Sequence, residues 1–297
     1  MKIYDCFMFS DEKMLLDLRL NTLNAYVDKF IIAEAKYLHN GEPKKLNFNI
    51  NDFADFKNKI EYIIVKDQPT NIFVEEKDET FSQKEEKKIL NSINRDNYQR
   101  EQLGNNLKNL DDKDIIIISD LDEIPNLENI NFHNLGNEIL IFKQKMFYYK
   151  LNLCYQNFVW FGSKAISKKK FISPQWLRNI KTRKDPFWRV DTYFSNKKYN
   201  NIKFIENGGW HFTCIKKPEE IHKKLLSFAH HQDYENAKIS LDDLKKKINQ
   251  RKVLYDHTQD KKNQNKWTSE EELKKIDIKQ LPEYVEKNFE IYKKWLE

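Results

Sequence analysis

Four consecutive isoleucines, Ile115-Ile116-Ile117-Ile118, lead directly into Ser119-Asp120-Leu121-Asp122-Glu123-Ile124-Pro125. Four β-branched residues are too few for a helix, and they leave no polar face. The run therefore predicts a strand that is buried on both faces of a parallel sheet. In open α/β sheets, ligands bind beyond the carboxyl ends of such strands, so the acidic turn after the isoleucines is the first candidate site.

Alternating strand and helix patterns precede this stretch. Apolar runs predict strands at 3–9, 30–33 and 62–65, and helical spacing follows at 14–26, with Ser10 as its N-cap, and at 82–110. This alternation, with polar residues at the strand ends, is typical of a doubly wound α/β fold. Later apolar runs predict an antiparallel or mixed extension of the sheet. They lie at 139–142, 146–149, 158–161 and 202–205.

Composition excludes several classes of protein. Hydrophobic residues make up 39% of the chain and aromatic residues 13%, so wholesale disorder is excluded. The formal net charge of +6 suits anionic ligands such as nucleotides without requiring nucleic acid. Lysine runs such as Lys245-Lys246-Lys247 are interspersed with acidic residues, which favours a solvated helical surface over a nucleic-acid site.

The cysteines and the hydropathy pattern bear on the cellular compartment. The three cysteines, Cys6, Cys154 and Cys214, form no disulfide framework and have no metal-ligand spacing, so reduced buried thiols are expected. No apolar run reaches the roughly 18 residues that a membrane span needs. The first residues predict a buried strand instead of a signal peptide. We therefore expect a soluble, cytoplasmic protein with no transmembrane segment.

The chain shows neither an internal repeat nor a Gly/Ser-rich linker, which favours one main domain. We predict a catalytic domain over 1–235, with a donor-binding half at about 1–125 and an acceptor half at about 126–235. Residues 236–297 are highly charged and show helical spacing. They predict a helical C-terminal extension that packs on this domain.

The two aspartates of the turn, Asp120 and Asp122, are suited to holding Mg²⁺ or Mn²⁺ against a diphosphate. The alternative is a helix N-terminus with acidic capping residues before Pro125. Haloacid-dehalogenase-like phosphohydrolases also carry two aspartates after a buried strand, with Thr or Val two residues after the second. Here Glu123-Ile124 follows the second aspartate, and the motif lies deep in the chain. Both features fit glycosyltransferases better than phosphohydrolases.

Five segments together resemble glycosyltransferase family 17, the β-1,4-mannosyl-glycoprotein β-1,4-N-acetylglucosaminyltransferases. The resemblance spans about residues 1–235. Its segments are Tyr4-Asp5-Cys6-Phe7-Met8-Phe9 with Asp11-Glu12 and Leu15-Leu16-Asp17-Leu18-Arg19; Glu34 with Gly41-Glu42-Pro43; Asp96-Asn97-Tyr98-Gln99-Arg100; Asp120-Leu121-Asp122-Glu123-Ile124-Pro125; and Gly209-Trp210-His211-Phe212.

The resemblance implies a GT-A fold with a mixed central sheet flanked by helices, a UDP-sugar donor (UDP-GlcNAc above all), a divalent metal ion and inversion at the anomeric carbon. The acceptor is expected to be a glycan or another saccharide. The chain lacks the transmembrane anchor of the animal enzymes, so the N-glycan acceptor does not carry over with the donor chemistry.

Within this framework, several residues are candidates for the donor site. Arg100 lies four residues after Asp96, so the two can pair on one helix face and present the guanidinium to a diphosphate. Arg95 is expected to be only a solvated charge. Further candidate donor contacts, each with a structural role as the alternative, are Asp5, Phe7, Glu34, Asp120 and Trp210. His211 is the candidate third metal ligand beside Asp120 and Asp122, or a buried core histidine.

Inverting transfer also needs a general base for the acceptor hydroxyl. Glu123, Asp191 and Glu206 are the candidates, and the sequence does not choose among them. Two other functions remain open. The chain can be a non-catalytic nucleotide-sugar-binding protein or, less in keeping with its motif, a metal-dependent phosphohydrolase.

Overall fold

The computed structural model describes residues 1–182, 199, 201–227, 234, 237–257, 267 and 269–297. Within these residues the chain forms two mixed β-sheets flanked by helices. The strands are β1 (Ile3–Met8), β2 (Lys29–Ala35), β3 (Ile60–Val65), β4 (Ile115–Ile118), β5 (Glu123–Pro125), β6 (Ile139–Phe142), β7 (Gln144–Tyr148), β8 (Leu153–Trp160), β9 (Lys164–Ser167), β10 (Ile202–Ile205), β11 (Gly209–Thr213) and β12 (Lys274–Lys275).

The α-helices lie between and after these strands. They are α1 (Lys13–Leu23), α2 (Phe81–Gln102), α3 (Pro174–Asn179), α4 (Pro218–Ser227), α5 (Leu241–Asn249), α6 (Glu283–Lys287) and α7 (Phe289–Tyr292). Short 3₁₀ helices occur at Ile50–Phe56, Leu103–Leu107, Phe132–Asn134, Lys168–Lys170, Ile278–Gln280 and Lys293–Trp295. No helix in the described ranges is long and apolar enough to cross a bilayer.

The larger sheet has seven strands in the order β10-β6-β9-β4-β1-β2-β3. Strands β3, β2, β1 and β4 are parallel, and β9 runs antiparallel to both of its neighbours, β4 and β6. After β1 the chain builds β2 and β3 on one side, and then returns to place β4 on the other side. β1 and β4 therefore flank a topological switch point, where an open α/β sheet forms its binding crevice.

The isoleucine run forms β4, and both of its faces are buried as the sequence predicts. Ile115 and Ile117 pack in one core cluster with Phe7, and Ile116 and Ile118 pack in a second one with Cys6. All four isoleucines are at most 1% exposed. Register with β1 places Ile118 beside Cys6, so the acidic turn begins where β1 also approaches its end.

The smaller sheet differs from the predicted extension of a single sheet. Its order is β12-β8-β7-β11-β5, and β7 and β8 contain most of two of the four later runs, those at 146–149 and 158–161. Lys143 alone separates β6 from β7, and its backbone bonds to Ile205 and Gly208. After Lys143 the chain pairs with β8 and β11 instead of continuing along the first sheet.

Two helix boundaries also differ from the sequence predictions. Helix α1 begins at Lys13 with Glu12 at the N-cap and without a side-chain capping bond, so Ser10 is not the cap. Helix α2 has a Thr80–Gln83 capping box and ends at Gln102. The chain continues as a 3₁₀ turn containing Gly104, a residue with low helix propensity.

The C-terminal residues complete the first core cluster. Leu281, Val285 and Tyr292 are buried in the same cluster as Phe7, and the Tyr292 hydroxyl donates to Asp17 Oδ2 at 2.6 Å. The C-terminal residues also contain strand β12, which pairs antiparallel with β8. The predicted extension is therefore not purely helical, and a boundary at residue 235 stays a prediction.

Candidate functional site

A cavity of about 870 Å³ opens at the switch point of the larger sheet. The segments 8–12, 37–39 and 120–122, which follow β1, β2 and β4, form one side of it. Lys216 and the lysines of α4, Lys223 and Lys224, contribute to the lining from the segment after β11. Carboxyl ends of neighbouring parallel strands thus converge on one space, as the sequence pattern predicts.

Arg19 of α1 anchors the first strand below this cavity. Its side chain is fully buried, and it donates from Nε to Asp5 Oδ2 at 2.8 Å and from Nη2 to Asp5 Oδ1 at 2.7 Å. The guanidinium carbon lies 4.5 Å from the centre of the Phe7 ring. Asp5 and Phe7, the predicted donor contacts, are 0% exposed and hold Arg19 instead of lining the cavity.

The same guanidinium fixes the acidic turn. Arg19 Nη2 donates to Ser119 Oγ at 2.5 Å, and Nη1 is surrounded by backbone oxygen atoms of the turn. These acceptors are the carbonyl oxygens of Asp120 at 2.9 Å, Leu121 at 3.1 Å and Glu123 at 2.9 Å. One buried cation therefore ties the turn that carries both aspartates to β1 and α1. Arg19 lies in a segment of the family resemblance, but no sequence pattern predicts this anchoring role.

Asp120 lies between two arginines. Arg178 Nη2 donates to its Oδ2 at 2.7 Å, and Arg100 Nη2 donates to its Oδ1 at 3.2 Å. Arg100 also bonds Asp96 at 2.9 Å, which confirms the predicted i,i+4 pair. Burial raises the pKa of Asp120, but Arg178 and Arg100 outweigh burial and hold that pKa well below its usual range. Asp120 is thus a carboxylate whose two oxygens are already paired.

Glu123 lies in the same buried network and not on the cavity wall. Its carboxylate accepts bonds from Trp160 Nε1 at 2.6 Å and from Arg178 at 2.7 and 2.8 Å, and from the Asp120 backbone N–H at 2.8 Å. The residue is 1% exposed. A carboxylate enclosed in this way is suited to positioning Arg178. It is poorly placed to take a proton from an acceptor.

Lys164 fixes the end of α3 next to Arg178. Its ammonium group donates to the carbonyl oxygens of Arg178 at 2.5 Å and Ile180 at 2.6 Å. Burial, together with the neighbouring Arg178 charge, lowers the pKa of Lys164 to about 7. Neither Lys164 nor Arg178 carried a sequence signal, because each lies outside every motif that was recognised.

Asp122 and His211 form the part of the predicted metal site that the structure brings together. His211 Nε2 lies 3.7 Å from Asp122 Oδ2, and the His211 ring stacks on Trp160 at 4.7 Å between centroids. The Nδ1 atom of His211 is buried without a hydrogen-bond partner in the described chain. Pairing of β11 with β5 sets His211 opposite Glu123, and the Phe212 N–H donates to the Asp122 carbonyl oxygen at 2.8 Å.

This donor set fits a divalent cation only in part. Within the described ranges, no three His, Cys, Asp or Glu side chains converge closely enough to hold a metal ion. Asp120 is directed to its arginines, so Asp122 and His211 would be the two protein ligands. Mg²⁺ is commonly held by one or two carboxylates together with substrate phosphates and water, and an imidazole ligand favours Mn²⁺ over Mg²⁺.

The remaining predicted donor contacts lie away from the cavity. Glu34 is fully buried and accepts bonds from Lys44, from the backbone of Asn47 at 2.8 Å and Phe48 at 3.1 Å, and from Tyr62 at 2.8 Å. It therefore caps a neighbouring turn, which was the alternative interpretation.

Two more sequence candidates lie elsewhere, and one lies outside the described residues. Trp210 donates to the Gln280 carbonyl oxygen at 2.7 Å and packs against the first core cluster. Glu206 is exposed and pairs with Lys143 at 2.5 Å, and it does not line the cavity. Asp191 lies outside the described residues, so its role stays a prediction.

The loop after β2 adds a cavity residue that no sequence motif indicates. His39 lines the cavity, with its Nε2 at 3.8 Å from Asp96 Oδ1. Burial lowers the pKa of His39 below its usual value despite the nearby Asp96.

Arg95 is 8% exposed and donates to the His39 carbonyl oxygen at 3.0 Å, so the expectation of a solvated charge was wrong. Gly41, at φ 94°, leaves room for the Arg95 guanidinium.

Replacing Gly162 with alanine is expected to disturb the network behind the cavity. A methyl group there would lie 2.2 to 2.5 Å from the Glu123 carboxyl atoms, so Glu123 must move and release Arg178. We expect a loss of about 1–3 kcal/mol in the free energy of unfolding, measured by urea titration. Gly136→Ala is the matched control, since nothing lies within 4 Å of its added carbon. Equal stabilities of the two variants would contradict this role of Gly162.

Comparison with known proteins places the chain in a family. The family model described as glycosyltransferase family 17 matches residues 1–296. No significant match was found among curated proteins. Among solved structures, HddC from Yersinia pseudotuberculosis matches at 12% identity and a TM-score of 0.32, covering 69% of this chain and 90% of that one. The same protein complexed with GMP-PN matches at 11% identity and a TM-score of 0.31, with the same coverages. Structural similarity at this level establishes neither fold nor function. The family match extends over nearly every residue, and the chain belongs to glycosyltransferase family 17.

Proposed function

We propose that this glycosyltransferase has a GT-A fold and transfers GlcNAc from UDP-GlcNAc to a saccharide acceptor, with inversion and with a divalent cation. The observation that carries the proposal is the 870 Å³ cavity at the switch point, where the 120–122 turn enters from the carboxyl end of β4. Nucleotide ligands of doubly wound sheets bind at this place. The cavity is also large enough for a sugar nucleotide, since pockets for small molecules span roughly 300–1,000 Å³.

The nucleoside part of the donor would lie against the β2 side of the cavity. His39, Asp96 and Gln99 line this side, and Arg100 holds Asp96 from behind at 2.9 Å. Gln99 is itself fixed by a bond to the Ala33 carbonyl oxygen at 3.0 Å. These side chains offer donors and acceptors for a ribose and a base, so the Asp96–Arg100 pair keeps its proposed donor-site role.

The diphosphate would lie on the β4 side. There Asp122 and His211 would hold Mn²⁺ or Mg²⁺, which when bound neutralises charge on the leaving diphosphate. Asp120 pairs with Arg100 and Arg178. It would position these two guanidinium groups and would not ligate the metal ion itself. Of the proposed bases, Glu123 is enclosed by Arg178 and Trp160, and Glu206 lies off the cavity. Asp191 stays a prediction.

A calorimetric screen tests the donor class. UDP-GlcNAc, UDP-glucose, UDP-galactose and GDP-mannose are titrated into the protein with and without Mn²⁺. We expect Mn²⁺-dependent binding of UDP-GlcNAc, and weaker or no binding of GDP-mannose. Absence of nucleotide binding under every condition would contradict the proposal.

Product analysis on the same samples separates the alternative functions. A transferase releases UDP slowly from UDP-GlcNAc when water replaces the acceptor. A non-catalytic binding protein would bind the donor without releasing UDP. Release of inorganic phosphate from simple phosphomonoesters would instead identify a phosphohydrolase.

A further inference from the structure

Two lysines near the end of the predicted catalytic domain reach back to the start of α1 across the cavity lining. Lys216 Nζ lies 2.5 Å from Asp11 Oδ1 and 3.4 Å from Glu12 Oε1. Lys224 Nζ of α4 lies 3.0 Å from the same Glu12 oxygen. Both ammonium groups therefore lie beside the same Glu12 carboxylate oxygen on the cavity lining.

Two of these three side chains are largely buried. The Lys216 side chain is 12% exposed, the Glu12 side chain 15% and the Lys224 side chain 36%. Glu12 raises the pKa of Lys224 well above its usual value, so this ammonium stays protonated throughout the physiological range. Burial raises the pKa of Glu12, but Lys224 and Lys216 outweigh burial and lower it well below its ordinary value. The Glu12–Lys224 pair is thus ionised near neutral pH.

The lysine pair lies next to the proposed cation ligand. A second, small cavity of about 10 Å³ is lined by Glu12, Asp122, Lys216 and Lys224, among others. The two ammonium groups and Asp122 therefore face the same part of the large cavity, where the segment after β4 meets α4.

We propose that Lys216 and Lys224 form the phosphate subsite of the cavity and bind the diphosphate of the nucleotide, with Glu12 as the residue that positions both ammonium groups. This inference rests on the proposed function for the identity of the ligand. A diphosphate carries several negative charges, and two ammonium groups on the cavity lining offer it charge-assisted hydrogen bonds. Because the lysines are held by Glu12 and Asp11, little side-chain freedom remains to be lost when the anion binds.

The test is calorimetry without divalent metal, in the presence of a chelator, with uridine, UMP, UDP and inorganic diphosphate as probes. We expect UDP and inorganic diphosphate to bind the wild-type protein, and Lys216→Met and Lys224→Met each to weaken both by about 10- to 100-fold. Uridine affinity should stay within about twofold of the wild type, since these variants leave the nucleoside side intact. Wild-type affinity for UDP should also fall more steeply with salt than affinity for uridine.

Two further variants separate the subsite from general effects. Lys217→Met removes the same charge from an exposed neighbour that does not line the cavity, and it should keep wild-type affinity for UDP. Lys224→Arg retains the cation, so it should keep most of the affinity and show that the methionine variants fail through lost charge. Thermal melting of each variant verifies that it is folded.

The outcomes distinguish this inference from the proposed function. If the methionine variants bind UDP as tightly as the wild type while uridine and UDP both bind, the phosphate subsite is refuted and the donor site stands. If the wild-type protein binds inorganic diphosphate through these lysines but binds no nucleotide with or without Mn²⁺, the subsite is supported and the UDP-sugar donor is refuted. Absence of binding by every metal-free probe would refute the subsite, and the Mn²⁺-dependent donor site would then be decided by the screen with Mn²⁺.

Discussion

Replacing Arg19 with methionine is expected to lower the free energy of unfolding by about 3–5 kcal/mol, the range seen when one partner of a buried ion pair is removed. The variant leaves Asp5 at 0% exposure without its cation. It also removes the donor to the Asp120, Leu121 and Glu123 carbonyl oxygens. The acidic turn should therefore lose its anchor as well as stability.

Urea denaturation followed by tryptophan fluorescence measures the Arg19 effect. Arg251→Met is the matched control, because Arg251 pairs with Glu297 with side chains 47% and 31% exposed. An exposed pair of this kind contributes about 0–1 kcal/mol. Arg19→Lys should lie between the two, since it keeps the charge but cannot reach all the acceptors at once. A loss below about 1 kcal/mol for Arg19→Met would contradict the anchoring role.

Replacing Asp122 with alanine is expected to abolish cation-dependent binding of the donor and to reduce UDP release by at least about 100-fold. Asp122 and His211 are the two side chains of the predicted triplet that approach each other, at 3.7 Å, and Asp122 also lines the cavity. The Asp122 side chain is 23% exposed, and the nearby Lys224 keeps its pair with Glu12 when Asp122 is removed. The variant should therefore remain folded, with a melting temperature close to that of the wild type.

Two comparison variants serve as controls for Asp122→Ala. Asp112→Ala removes an exposed carboxylate away from the cavity and should leave Mn²⁺-dependent binding and UDP release unchanged. Asp120→Asn should act differently, because it weakens the bonds to Arg100 and Arg178 and lowers stability along with activity. Equal Mn²⁺ dependence in Asp122→Ala and the wild type would remove Asp122 from the cation site.

The sequence predicted strands β1 to β4 of the larger sheet well, because local pattern determines them. Four isoleucines with no polar face can form only a strand covered on both sides, and β4 packs in both core clusters. The i,i+4 spacing of Asp96 and Arg100 likewise settles their pairing on α2. The second sheet was not predictable in the same way, because a single residue, Lys143, separates β6 from β7, and its break from the first sheet is set by tertiary pairing.

The candidate site was likewise predictable only where local sequence pattern determines it. The position of Asp120 and Asp122 followed from the strand before them, but the partners that distinguish the two did not. Arg178 comes from α3, and Lys216 and Lys224 approach from more than 200 positions along the chain. Such long-range pairs leave no periodic signal in a single sequence.

Glu34 and Asp5 show a related limit of prediction from the sequence. A polar residue on a buried strand has the same sequence signature whether it contacts a ligand or forms hydrogen bonds and ion pairs within the protein. Glu34 accepts bonds from the turn at 47–48, and Asp5 pairs with Arg19. Burial and hydrogen bonding in three dimensions are needed to separate the two roles.

The most direct measurement is the position of Mn²⁺ and UDP in crystals of the protein, taken from the anomalous scattering of manganese. We expect a manganese peak between the Asp122 carboxylate and the His211 ring, with the nucleotide in the 870 Å³ cavity and its diphosphate beside Lys216 and Lys224. Nucleotide bound outside this cavity, or manganese away from Asp122, would contradict the proposed site.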